Sequence, residues 1–119
     1  MKYLLLPVLA LLTGITQAAD PVTTTVFTSG KEGYHTYRIP SVLLTPKGTL
    51  LAFCEGSKKG RGDKGEIDIV IKRRREKGKK WGKIEIVKEE GGRKKVTIGN
   101  KCPVVDQTTG TIWLPFNRD

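Results

Sequence analysis

Apolar and polar positions along this chain alternate with a period of two, and no helical period runs longer than a turn. Val42-Leu43-Leu44 and Thr49-Leu50-Leu51-Ala52-Phe53-Cys54 flank Thr45-Pro46-Lys47-Gly48. Pro at the second turn position presets φ and Gly at the fourth relieves the exit, so the tetrapeptide predicts a type I turn within a hairpin. Ile67, Ile69 and Ile71 alternate with Asp68 and Lys72, which predicts one buried face and one wetter face. Ile84 and Ile86 alternate with Glu85 and Lys88 in the same way, and Lys77-Gly78 lies between the two runs. They predict a second hairpin.

The first hairpin returns loosely further on. Ser41 to Phe53 is echoed by Pro103 to Phe116, with the Gly48-Thr49 and Gly110-Thr111 pairs 62 residues apart. One such period holds four antiparallel strands. Fixed-period self-similarity of this kind is how a β-propeller blade shows in sequence. A chance likeness between two hairpins is the competing explanation.

The chain begins differently. Lys2, the apolar stretch Leu4 to Leu12 and the small exit Thr16-Gln17-Ala18 have the three parts of a secretory signal peptide. Residues 1–18 are therefore expected to be a leader cleaved after Ala18, and residues 19–119 the mature part. Export to a periplasmic or extracellular location follows. No apolar run reaches the ~18 residues of a membrane-spanning helix, so no transmembrane segment is expected. Six of the eleven Leu leave with the leader. What remains is thin material for an independent core.

Composition narrows the chemistry. The 119 residues contain 22 Lys+Arg, 12 Asp+Glu, one His and two Cys. One His and two Cys exclude a His/Cys metal cluster, a His-based triad and a disulfide-dense miniprotein. No spacing implies a metal or a cofactor. Export permits a bridge between Cys54 and Cys102, but their apolar context favours buried thiols. The formal charge is +10, and Lys58 to Lys101 holds 17 of the cations against 7 acids. The densest run is Lys72-Arg73-Arg74-Arg75, followed by Lys77, Lys79 and Lys80. This is either a polyanion-binding stretch or a solvated hairpin turn. Export and the scarcity of aromatics argue against nucleic acid. Oligomeric state is not legible.

Three ordered motifs add to this. Tyr37-Arg38-Ile39-Pro40 resembles the [FY]-R-I-P motif that opens the catalytic domain of sialidases, the exo-α-neuraminidases. Phe53-Cys54-Glu55-Gly56, Gly60-Arg61-Gly62-Asp63 and Glu66 to Arg73 resemble the segment that follows it. Asn100, Cys102-Pro103 and Thr109-Gly110-Thr111 resemble the start of the second blade in that family. The resemblance implies an all-β six-bladed propeller of sialidase type, of which this chain holds the first blade and part of the second. It implies hydrolysis of terminal sialic acid from sialylated glycans, glycoproteins or glycolipids, with retention.

The implied roles make physical sense. Sialic acid carries a carboxylate on its anomeric carbon, and the resemblance makes Arg38 the first of three arginines that hold it. A planar, permanently charged guanidinium suits that task. Asp63 takes the place of the general acid/base, with Asp68 as the fallback. Such a carboxyl needs apolar surroundings or a neighbouring negative charge to stay protonated. Asn100 falls where the sugar pocket is lined. The nucleophile implied is a Tyr assisted by a Glu.

Departures from the pattern are as informative. Ser57 stands where an Arg is usual after Glu-Gly, with Arg61 four residues on, and Lys101 stands in place of a Pro. The turn motif S-x-D-x-G-x-T-W survives only as Gly78 and Trp81 within Arg74 to Trp81. At 62 residues per period, six blades need on the order of 360 residues. The chain is thus expected to be a fragment, inert by itself. A non-catalytic glycan-binding propeller and a secreted basic polyanion-binding module remain as alternatives.

Overall fold

Four strands follow one another in the middle of the chain: β1 (Thr36–Leu44), β2 (Leu50–Ser57), β3 (Ile67–Arg74) and β4 (Glu85–Lys88). They form one antiparallel sheet in sequence order. Two small ladders come after it. β5 (Ile98–Gly99) pairs with β8 (Asn117–Arg118), and β6 (Val104–Val105) pairs with β7 (Ile112–Trp113). The computed structural model describes residues 18, 20–75, 78, 80–91 and 95–119. Among them the chain is all-β, without a helix, as the period of two predicts. No helix among the described residues is long and apolar enough to cross a membrane. The expected leader lies almost wholly outside the described residues, as do Glu76, Lys77 and Lys79 of the worn turn motif.

The sequence repeat coincides with two hairpins, the second with a turn one residue longer than the first. At the β1–β2 turn the Gly48 amide donates to the Thr45 carbonyl at 2.9 Å, and Gly48 has φ of 74°. At the β6–β7 turn the Gly110 amide donates to the Asp106 carbonyl at 2.8 Å, with φ of 76°. Only glycine enters that left-handed region without a steric cost. Leu44 faces Leu50 across the first turn, as Val105 faces Ile112 across the second.

Burial corrects the expectation for the second hairpin. Ile67 to Lys72 are buried on both faces of β3, so the wetter face at Asp68 and Lys72 does not exist. The reason is that β3 is covered twice. Leu43, Leu51, Phe53 and Ile98 pack with Ile69 and Ile71 on one side. Tyr34 and Cys54 pack with Val70 on the other, supported by Phe27, Tyr37 and Ile84. Each fully buried aliphatic side chain there contributes about 1.5–3 kcal/mol. β4 is an edge strand instead, with Ile84 half-buried and Ile86 exposed.

The two buried ionic groups of β3 survive because they are paired. Asp68, 1% exposed, accepts from the Tyr34 hydroxyl at 2.8 Å and lies 3.2 Å from Lys58 Nζ. Lys72 donates to Glu32. Gly56 is where the Tyr34 ring reaches the sheet: a Cβ there would lie 2.6 Å from the ring.

The cysteine expectation is half corrected. Both thiols are free and Cys54 is buried, but Cys102 is exposed. Cys102 stands in the connection between β5 and β6, where no layer covers it.

Candidate functional site

β1 begins six residues earlier than its apolar run, and the Tyr37-Arg38-Ile39-Pro40 motif therefore lies inside a strand. The ladder with β2 is in register up to Arg38 opposite Glu55 and then shifts before Ser41. That irregularity re-aims the chain at the motif. Ile39 takes φ of 50°, a left-handed conformation that a β-branched residue adopts only under constraint. The constraint is visible on both sides. The Cys54 thiol donates to the Arg38 carbonyl at 3.0 Å, and the Lys101 ammonium donates to the Ile39 carbonyl.

The Arg38 side chain reaches the loop between β2 and β3. Its guanidinium donates to the Arg61 carbonyl at 3.0 Å and to Asp63 Oδ1 at 2.6 Å. It also lies 3.9 Å from Glu55 Oε2. Glu55 is buried, and its Oε1 accepts the Asn100 amide at 2.7 Å. Asn100 has φ of 51°, which asparagine tolerates better than most residues. The Asp63 loop is closed by Lys58 bonding Glu66 at its ends and by Thr97, which accepts the Gly65 amide at 3.0 Å.

These residues form one small cavity. Arg38, Ile39, Glu55, Asp63, Thr97, Gly99 and Asn100 line about 140 Å³. The structure thus brings Arg38, Asp63 and Asn100 together from three separate parts of the chain. A ligand pocket usually measures about 300–1,000 Å³, so this space suits a carboxylate and its neighbourhood rather than a whole sugar.

In the cavity one guanidinium, Arg38, is set against two carboxylates, Glu55 and Asp63. Asp63 is 90% exposed and carries an arginine, so the apolar surroundings expected for an acid are missing there. Asp68 does not replace it, because Tyr34 and Lys58 occupy its carboxylate within the core. Ser57 is buried at the end of β2. Arg61 gives Arg38 a backbone carbonyl. Burial holds the Lys101 ammonium below the usual lysine range, partly offset by the Glu55 carboxylate. Burial pushes the Cys54 thiol up, so it is a structural donor and not a nucleophile. No cluster of three or more His, Cys, Asp or Glu among the described residues is arranged to hold a metal ion.

Sequence reasoning missed Glu55 and Lys101 as members of this site. The available signal was a carboxylate inside an otherwise apolar strand, at Phe53-Cys54-Glu55-Gly56. Charge at such a position asks for a buried partner.

Known proteins carry similar sequence. Over 88 residues the chain is 38% identical to an exo-alpha-sialidase of Arthroderma benhamiae, covering 71% of this chain and 22% of that protein. Over 85 residues it is 39% identical to an exo-alpha-sialidase of Aspergillus fumigatus, covering 69% of this chain and 21% of that one. This is sialidase-family sequence. A sialidase of Micromonospora viridifaciens is similar too, 36% identical over 88 residues, or 13% of its length. No family model matches the chain. The chain spans about a fifth or less of the sialidases it matches.

Proposed function

We propose that this chain supplies the carboxylate-holding part of a site that removes terminal sialic acid from glycoconjugates, within an exported protein. In this reading the four-stranded sheet is the first blade of a six-bladed propeller and β6–β7 opens the second. The observation that carries it is the convergence of Arg38, Asp63 and Asn100 on one cavity.

Arg38 holds the sugar carboxylate through two parallel hydrogen bonds, backed by the buried Glu55. Asp63 leaves Arg38 when the substrate carboxylate arrives and takes up the acid/base role at the glycosidic oxygen. The incoming anion replaces Asp63 on the guanidinium. Asn100 lines the sugar side. The Tyr34 hydroxyl is committed to Asp68 and the Tyr37 hydroxyl to the Lys31 carbonyl, so neither serves this cavity as nucleophile. The chain by itself binds sialosides without turning them over, and the reaction is retaining where a tyrosine nucleophile completes the site.

Titration with sialyllactose and with lactose tests the reading. Binding of the sialylated sugar alone, lost in Arg38→Ala, is expected. Equal binding of lactose, or binding indifferent to Arg38→Ala, contradicts it. Release of sialic acid by this chain alone contradicts the assignment of the nucleophile.

A further inference from the structure

The end of the sheet remote from Arg38 has a concave surface of its own. β1 runs from the motif at one end to Leu44 at the other, so the β1–β2 turn lies away from the Arg38 cavity. The β6–β7 turn, its counterpart in the sequence repeat, lies beside it. Between the two turns opens a recess of about 400 Å³. Lys47 and Arg73 supply cations to it, Thr45, Thr49 and Thr108 supply hydroxyls, and Leu51 is among its apolar residues.

Charge is compensated unevenly along the sheet. Near the Arg38 cavity several cations are paired: Lys58 lies within 3.7 Å of Glu66, Asp68 and Glu89, and Lys88 and Arg118 share Glu90. At the recess the one ion pair among the described residues is Arg73 with Glu85, at 2.9 Å through Nε. Among the described residues no acceptor is found for the terminal nitrogens of that guanidinium. Asp106, the acid of the neighbouring turn, spends its oxygens on its own turn, accepting the Thr108 amide at 2.8 Å and the Thr109 hydroxyl at 2.8 Å. Thr45 Oγ1 accepts the Thr49 amide at 3.0 Å, which leaves its proton to donate.

We propose that this recess binds a sulfated glycan chain, with Arg73 and Lys47 holding one sulfate and the threonine hydroxyls meeting the sugar. A guanidinium fork beside an ammonium matches a sulfate's several oxygens. A recess of about 400 Å³ has room for a sugar unit. Nucleic acid fits less well, because among the described residues no aromatic ring lines the recess for base stacking. The nearby Trp81 ring already carries the Arg74 guanidinium, 5.5 Å from its centroid. The site is independent of the Arg38 cavity. It gives the excess positive charge a use that the sialic acid reading leaves open.

Calorimetric titration of the full chain with a heparin tetrasaccharide tests this. The proposal expects salt-sensitive binding, unchanged in Arg38→Ala and weakened about tenfold or more in Lys47→Gln/Arg73→Gln. Lys47→Gln alone lies on an exposed turn and leaves the Arg73–Glu85 pair intact, so it reports without threatening the fold. It is expected to weaken binding about threefold. Absence of binding, affinity indifferent to both variants, or equal affinity for a DNA duplex of the same charge overturns the proposal.

Discussion

The Arg38 guanidinium donates to the Asp63 carboxylate at 2.6 Å, joining the two residues whose proposed roles need them apart. Asp63 is almost fully exposed and Arg38 27% exposed, so solvent screens the pair. Exposed pairs of this kind are worth about 1 kcal/mol or less. A substrate carboxylate can therefore displace Asp63 at little cost. Asp63→Ala is expected to tighten binding of free N-acetylneuraminic acid by up to about fivefold, the equivalent of that pair. Weaker binding in the variant, measured by titration, means that Asp63 helps to hold the ligand and does not compete with it.

Ile39 offers a test of the strained motif. Its φ of 50° means that glycine relieves the backbone, set against the burial given up by a side chain that is 47% exposed. Left-handed geometry costs an ordinary residue about 1–2 kcal/mol. Ile39→Gly is expected to leave stability unchanged or raise it by about 1 kcal/mol. A denaturation midpoint lowered by more than that shows that the Ile39 side chain, not the Lys101 hydrogen bond, holds the motif.

Gly56 leaves no room for a side chain. A Cβ there meets three Tyr34 ring atoms between 2.6 and 2.9 Å, and the ring is fixed by its hydroxyl on Asp68. Gly56→Ala is expected to cost about 1–3 kcal/mol, as overpacking does in a closed core. Tyr34→Phe removes the donor to a buried carboxylate and is expected to cost about 1–3 kcal/mol. Urea midpoints check both, and values indistinguishable from the parent refute the packing described here.

Acid should unfold the chain for an identifiable reason. The Lys72 hydrogen bond holds the Glu32 carboxyl below the usual carboxylate range, and Lys58 does the same for Glu66. In the unfolded chain these groups return to ordinary values of about 4.3. As pH falls through that value the unfolded chain takes up protons first, so stability drops until the lowered folded values are passed. Thermal midpoints between neutral pH and about pH 3 are expected to fall most steeply below 4.3, and less steeply in Glu32→Gln. A flat profile, or an unchanged slope in the variant, contradicts the pairing.

The strands, the first turn and the repeat were legible because they rest on local chemistry. Pro46 with Gly48 sets one turn, and Gly110 closes a turn one residue longer without a proline. The second face of β3 was not legible. Its cover comes from Tyr34 and Phe27, far away in sequence and outside any periodic run. For the site, motif resemblance named Arg38, Asp63 and Asn100, and the structure gathers them. It missed Glu55 and Lys101, because a buried charge shows its purpose only once its partner is placed. The exposure of Cys102 was likewise hidden, since an apolar neighbourhood in sequence does not supply a covering layer.

The most direct test is backbone-amide NMR of the full chain titrated with N-acetylneuraminic acid. Shift changes are expected at Arg38, Glu55, Asp63 and Thr97 to Asn100, and they vanish in Arg38→Ala. Changes confined to other residues, or persisting in Arg38→Ala, contradict a carboxylate site built on Arg38.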